Sequence, residues 1–287
     1  MEKVALVLEG GGFRGCYTAG ALKWLNDHHI VPEYTVGISA TALYAFYFLT
    51  DRPQELYDIS VVAVTDPHMV GFQAILSEGA PVGYNYMAEH YCFPTYKEAL
   101  KDLRESDAEF EMGIYNCTQD CLQYKNKWDM DEEGQMLKAA CVLPLSNRMT
   151  EVNGEKYLDG GIDTMVAVER AKEKGYDRIL CIVTKDKDYV RKPNGKFTSL
   201  LLHTIYHKNT HMLELLDHRV EAYNRQMNAI YQLEEEGRGM LFRPTRDCGV
   251  TRFSGTREQL DDMFLLGWQD MEDRKSELYQ FLGIEEK

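Results

Sequence analysis

Five consecutive apolar residues, Val4-Ala5-Leu6-Val7-Leu8, set the tightest limit on what this 287-residue chain can fold into. A strand with no polar alternation offers no face to water. Such strands belong to parallel sheets covered by helices on both sides. The following residues agree with that limit. A glycine loop, Gly10-Gly11-Gly12-Phe13-Arg14-Gly15, leads into a helical pattern from Cys16 to His28, with Tyr17, Gly20, Ala21, Trp24 and Leu25 at helical spacing. A helix beginning near Val166 and a second buried strand over Arg178–Thr184 repeat the order. Strand, loop, helix, strand predicts an α/β fold: a mostly parallel central sheet with helices on both faces.

Between these units, Tyr34–Ile38 is β-rich and Ala40–Leu49 is helical and almost wholly apolar. Ser39 stands at the junction with Gly37 two positions before it. A sharp strand-to-helix turn there lifts the serine Oγ clear of the backbone and leaves a helix N-terminus beneath it. The nucleophile-elbow pattern G-x-S-x-G also asks for glycine at position 41, and the chain has Thr41. A serine that merely caps a buried helix has the same local pattern.

The Gly10–Gly15 loop aims backbone N–H groups and a helix dipole at one point, which is an anion-binding geometry. Its spacing fits the dinucleotide pattern G-x-G-x-x-G. The next strand, however, ends in Gly37-Ile38-Ser39 rather than in the acidic residue that would hold a ribose. The competing reading is an oxyanion hole, with Arg14 adding positive charge or fixing the loop. Further along, Asp159 follows a short strand, Lys156–Leu158, and precedes Gly160-Gly161. Alone, that step is an ordinary turn.

The remainder is read more coarsely. Glu109–Cys117 alternates as a strand and pairs with Leu122–Tyr124 as a hairpin. Gln135–Val142 is a short helix, and Met240–Arg243 is an edge strand. Residues 200–287 are mainly helical, ending in an amphipathic helix over Leu260–Phe281. Asp66–Pro94 mixes glycine, proline, methionine and aromatics without a period, and reads as an irregular apolar lid over a substrate cleft or as a plain surface excursion. His203, His207, His211 and His218 recur at helical spacing. No carboxylate or cysteine pattern accompanies them, so they read as a solvated helix face rather than a metal site. Neither a linker nor an internal repeat interrupts the chain, which is taken as a single domain over 1–287.

A net charge of −14 argues against a nucleic-acid partner and against adsorption to an anionic membrane by electrostatics alone. The seven cysteines are odd in number and irregularly spaced, as expected of reduced thiols in a cytoplasmic protein. No run approaches the length of a membrane span.

Taken together and in this order, the glycine loop with Arg14, the serine elbow and the Asp-Gly-Gly step resemble the patatin-like phospholipase family. Tyr17, Ala19, Gly20 and Leu22 after the loop fit its first βα unit. Tyr157-Leu158-Asp159-Gly160-Gly161-Ile162 fits its aspartate motif, with the apolar strand Ile179–Val183 following. The resemblance implies a three-layer α/β/α fold and a serine hydrolase that works through a Ser-Asp dyad without histidine. Ser39 matches the nucleophile, Asp159 the general base, and Gly10, Gly11, Gly12 and Arg14 the oxyanion-hole loop. It implies no metal or cofactor. Its substrates are acyl esters of phospholipids, glycerolipids or small esters, with transient contact at a membrane or micelle surface. Two residues depart from the pattern. Ala167 stands where a proline is frequent near a helix start. Thr41 places a β-branched side chain at a close helix–strand contact, to be tolerated only if the facing residue is small. A tilted serine would leave a catalytically weakened lipid-binding or scaffolding relative.

Overall fold

The fold is described from a computed structural model covering residues 3–285. Its strands are β1 (Val4–Leu8), β2 (Tyr34–Ile38), β3 (Glu109–Asn116), β4 (Cys121–Asn126), β5 (Thr150–Val152), β6 (Glu155–Asp159), β7 (Arg178–Ile182) and β8 (Gly239–Phe242). All eight join one mixed sheet in the order β5-β6-β3-β2-β1-β7-β8, with β4 on the other edge of β3. The run β3-β2-β1-β7-β8 is parallel, and β4, β5 and β6 add antiparallel pairings at one end.

The lack of alternation in β1 has the expected cause. Val4, Leu6 and Leu8 face one hydrophobic layer, while Ala5 and Val7 face another. The first layer contains the helices Cys16–Asp27, Ala40–Leu49 and Arg257–Asp273; the second contains Val168–Glu173 and Arg219–Glu235. Strand β7 divides in the same way, with Leu180 and Ile182 on one side and Ile179 and Cys181 on the other. Water is excluded from both faces of β1, so every position in it is apolar.

The helices Cys16–Asp27 and Arg257–Asp273 touch backbone to backbone. A Cβ at Gly20 would lie 1.9 Å from the Phe264 carbonyl oxygen, and one at Gly267 would lie 2.0 Å from that of Tyr17. Only glycine permits this approach. Polar contacts flank it: Tyr17 Oη donates to Asp270 at 3.0 Å, and Trp24 Nε1 donates to Glu272 at 2.7 Å.

Three segments differ from the sequence reading. The stretch 66–94 is not irregular. It carries the helix Phe72–Glu78, the short helix Tyr84–Met87 and a π-turn over Ala88–Cys92. Gly71 and Gly79, both at positive φ, bound the first of these, so helical pieces too short to show a period lie between the breakers. The terminal helix is two helices, Arg257–Asp273 and Lys275–Leu282, the first opened by a capping box between Thr256 and Gln259. The Gln135 helix ends at Ala139 rather than Val142. The four histidines lie exposed, and the His203 ring meets Asp217 at 3.0 Å, as a solvated face requires.

Candidate active site

The register of β3 builds the site. Ile38, the last residue of β2, pairs with Gly113, and Asp159, the last residue of β6, pairs with Ile114. These strands approach head-on along the same edge of β3, because β4 occupies the other edge. Ser39 and Asp159 therefore arrive at one point from distant parts of the sequence. A Cβ at Gly160 would lie 2.5 Å from the Gly113 carbonyl, so the chain leaves Asp159 across backbone that admits no side chain.

Ser39 has φ 63° and ψ −138°, strained for a non-glycine residue by ~1–3 kcal/mol and held by its surroundings. Gly37 makes the turn possible, since a Cβ there would fall 2.7 Å from the Ala42 backbone. Thr41 does not disturb the elbow. Its hydroxyl donates to the Ile38 carbonyl at 2.8 Å, lies 3.2 Å from the Leu8 carbonyl, and accepts from the Ile38 N–H at 3.2 Å. The small facing residue is Gly15: its added Cβ would lie 3.7 Å from the Thr41 methyl. Threonine thus knots the end of β2 to the start of the helix.

Asp159 is fully buried. Its Oδ1 accepts from the Gly161 N–H at 2.7 Å, while Oδ2 has no formed hydrogen bond. Desolvation pushes its pKa up to about 6, against the opposing pull of the Ser39 hydroxyl, the Gly161 N–H and the charges of Arg252 and Arg219. The serine is near enough to bias the carboxylate although the hydrogen bond between them is not fully made, as is frequent in sites without substrate.

The glycine loop divides its labour. The Gly10 N–H is engaged by the Met165 carbonyl at 3.2 Å, and a Cβ on Gly10 would crowd that of Ser39 at 3.0 Å. Gly10 is thus a spacer rather than a free donor. Gly11 and Gly12 are unable to carry a side chain either, the former against Thr184 and the latter, at φ 58°, against the Arg252 carbonyl. No acceptor takes their N–H groups among the described residues. Arg14 donates from Nε to the Val250 carbonyl at 3.1 Å and lies over the Tyr189 ring at 5.8 Å, which fixes the loop. Below it, buried Glu9 accepts from the Thr184 N–H at 2.6 Å and is ion-paired with Lys185.

All six residues singled out by sequence, Gly10, Gly11, Gly12, Arg14, Ser39 and Asp159, line one small pocket. Lys185, Arg219 and Arg252 line it too, and sequence reasoning assigned none of them a role. No local pattern marks them, because they come from three separate loops and helix ends. Two further cavities adjoin the site. An apolar slot of about 40 Å³ runs from Ser39 past Leu43, Tyr44, Ile59, Val82 and Met87. A wider cavity of about 310 Å³ passes Gly161, Ser146, Asn194 and Leu202. Arg252 and Phe253 line both. Among the described residues no group of three or more His, Cys, Asp or Glu side chains is placed to hold a metal ion.

Comparison with known proteins agrees with the motifs. Residues 209–283 match a family described as "Domain of unknown function (DUF6363)". The uncharacterized protein YjjU of Escherichia coli (strain K12) is 26% identical over 192 residues, covering 63% of this chain and 52% of YjjU; the chain thus spans about half the length of that relative. The crystal structure of VipD from Legionella pneumophila shares the fold at a TM-score of 0.50 and 13% identity, covering 96% of this chain and 67% of that one. Residues 6–172 match the family described as "Patatin-like phospholipase". With more than half its length in that match, the chain belongs to the patatin-like phospholipase family.

Proposed function

We propose that this protein hydrolyses acyl esters of lipids, with Ser39 as nucleophile, Asp159 as general base and the Gly11 and Gly12 amides as the oxyanion hole. One observation carries the reading. Asp159 is a fully buried carboxylate with one oxygen tied to Gly161 and the other unclaimed, in the same pocket as Ser39 and poised near pH 6. An ordinary carboxylate, with a pKa of about 4, is too weak a base for serine. Burial supplies part of the missing basicity.

In this mechanism Ser39 Oγ attacks the acyl carbonyl carbon as its proton passes to Asp159. The oxyanion so formed is held by the Gly11 and Gly12 N–H groups, where losing one such donor costs ~3 kcal/mol. Collapse breaks the ester bond, and the leaving alcohol takes the proton from Asp159. Water then gives a proton to Asp159 and attacks the acyl-serine. The fatty acid leaves as Ser39 regains its proton. Gly10 sets the spacing and Arg14 holds the loop.

The apolar slot beside Ser39 suits an acyl chain, and Met69, Val82, Tyr84 and Met87 from the segment 66–94 form one of its walls. We read that segment as a lid. Phe72 and Leu76 on its outer face are 73% and 70% exposed, which suits contact with a membrane or micelle surface. The contact between Gly20 and Phe264 favours treating 1–287 as one working unit. The seven unpaired thiols fit a reducing, cytoplasmic setting. The hydrogen bonds of Thr41 support the enzyme reading over a weakened scaffolding relative.

The direct test is labelling with a fluorophosphonate. Wild type reacts at Ser39, Ser39→Ala does not, and Ser39→Ala and Asp159→Asn both lose esterase activity. A folded wild type that is neither labelled nor active on short or long acyl esters overturns the reading.

A further inference from the structure

Resting on the hydrolase reading, we propose that Arg219 and Arg252 form an anion subsite beside Ser39, and that it takes the phosphodiester of a glycerophospholipid whose acyl ester lies at the serine. Arg252 lines all three cavities around the site, and Arg219 lines two of them. Among the described residues no side-chain hydrogen bond or ion pair reaches the Arg252 guanidinium; its backbone carbonyl alone is used, by the Phe13 N–H. Arg219 has one weak contact, from Nη1 to Asn194 Oδ1 at 3.3 Å, and its buried Nε has no partner.

Two more cations stand close by. Arg191 is 5% exposed, stacks over the Tyr223 ring at 5.0 Å, and leaves Nε and Nη1 without partners. Lys185, also 5% exposed, is paired with Glu9. Lys185, Arg219 and Arg252 thus line one pocket with Asp159, and Arg191 is near enough to repel Arg219, in a chain whose net charge is −14. Desolvation, with Arg191 and Arg252 adding repulsion, pushes the Arg219 pKa down to about 9. Crowding like charges out of water is unfavourable unless an anion completes the set. Planar guanidinium forks with open donors match phosphoryl oxygens in geometry and charge.

Position selects a phosphodiester over a fatty-acid carboxylate. A carboxylate product has its charge on the reacting carbon, at Ser39 itself. Both arginines also line the wider cavity beyond Gly161, with Ser146, Asn194 and Thr198 on its wall. An acyl chain in the apolar slot and an ester at Ser39 leave that cavity to the headgroup.

The test compares dihexanoyl phosphatidylcholine with dihexanoylglycerol, both below their critical micelle concentrations, on the full chain. The ratio of kcat/KM for the phospholipid to that for the uncharged ester should fall at least ~10-fold in Arg219→Gln and in Arg252→Gln, and less in Arg252→Lys. Glycerophosphocholine should compete with the uncharged ester in wild type and lose potency in both glutamine variants. Thermal melting checks that each variant is folded, and either arginine alone suffices for the test. An unchanged ratio in folded variants overturns the subsite while leaving the hydrolase standing. Inhibition by inorganic phosphate that depends on both arginines, with the ratio unmoved, overturns the phosphodiester assignment in favour of a separate anion. If wild type hydrolyses neither ester, the hydrolase reading fails. Calorimetry with glycerophosphocholine then decides the subsite alone: binding lost in the variants supports it, and no binding by wild type overturns it.

Discussion

Ser39 directly follows Ile38, which pairs with Gly113 of β3, and Asp159 pairs with the adjacent Ile114, so the two strand ends meet head-on along one edge of β3. The separation of the proposed nucleophile and the proposed base is set by backbone pairing, which is the kind of rigidity a proton transfer requires.

Replacing Asp159 by Asn should abolish activity and raise stability. The folded-state pKa of about 6 lies above the usual carboxylate value of 3.8, so folding is favoured by protonation and disfavoured by the charge. The charge-free stability is fully present below pH 4 and is lost as pH rises through about 6. Asp159→Asn should therefore match wild type near pH 4 and exceed it at pH 7 by on the order of 3 kcal/mol. Denaturant melts at the two pH values check this; an Asn variant less stable than wild type at pH 7 contradicts the burial argument. In wild type, kcat/KM on a short soluble ester should rise with pH through about 6.

Thr41 should behave as a structural tie. Thr41→Val keeps its shape but strips the hydroxyl from three backbone contacts, and should cost ~1–3 kcal/mol. Thr41→Gly, which restores the elbow pattern, should lower the melting temperature and give no gain in turnover. A large rise in esterase activity in Thr41→Gly would show that threonine tilts the serine after all.

Gly20→Ala should open the contact between the helices Cys16–Asp27 and Arg257–Asp273. Its new methyl would fall 1.9 Å from the Phe264 carbonyl oxygen, and backbone is unable to step aside as a side chain does. A loss of ~3 kcal/mol is expected. Ala19→Gly on the same helix serves as a control for backbone entropy, with a loss of ~1 kcal/mol. Equal melts for the two variants would mean that the helices separate easily.

Charging the outer face of the proposed lid separates surface contact from chemistry. Phe72→Asp combined with Leu76→Asp should reduce hydrolysis of long-chain esters in micelles about tenfold or more. Soluble short-chain esters should change by less than about twofold, because both side chains point to water. An equal loss on both substrates would assign the segment a folding role.

Much of this was legible in the chain itself. Uninterrupted apolar runs such as Val4–Leu8 have one physical explanation, burial on two faces, and they announced the parallel sheet. Gly37, Ser39 and the Asp159-Gly160-Gly161 step were readable because each needs a backbone conformation or approach that few residues allow. The helices within 66–94 were hidden because each is too short for a period to emerge between its glycine breakers.

Other features exist only in three dimensions. That Gly10 spends its N–H on Met165 while Gly11 and Gly12 keep theirs depends on a residue far along the chain. That Thr41 supports the elbow depends on Gly15 facing it. Lys185, Arg191, Arg219 and Arg252 look like scattered surface charges until the fold gathers them around two carboxylates. Local sequence determined the backbone geometry, because periodicity and glycine sterics act within a few residues. The tertiary structure alone decided which donors and charges are left without partners, because that depends on long-range pairings that no local pattern encodes.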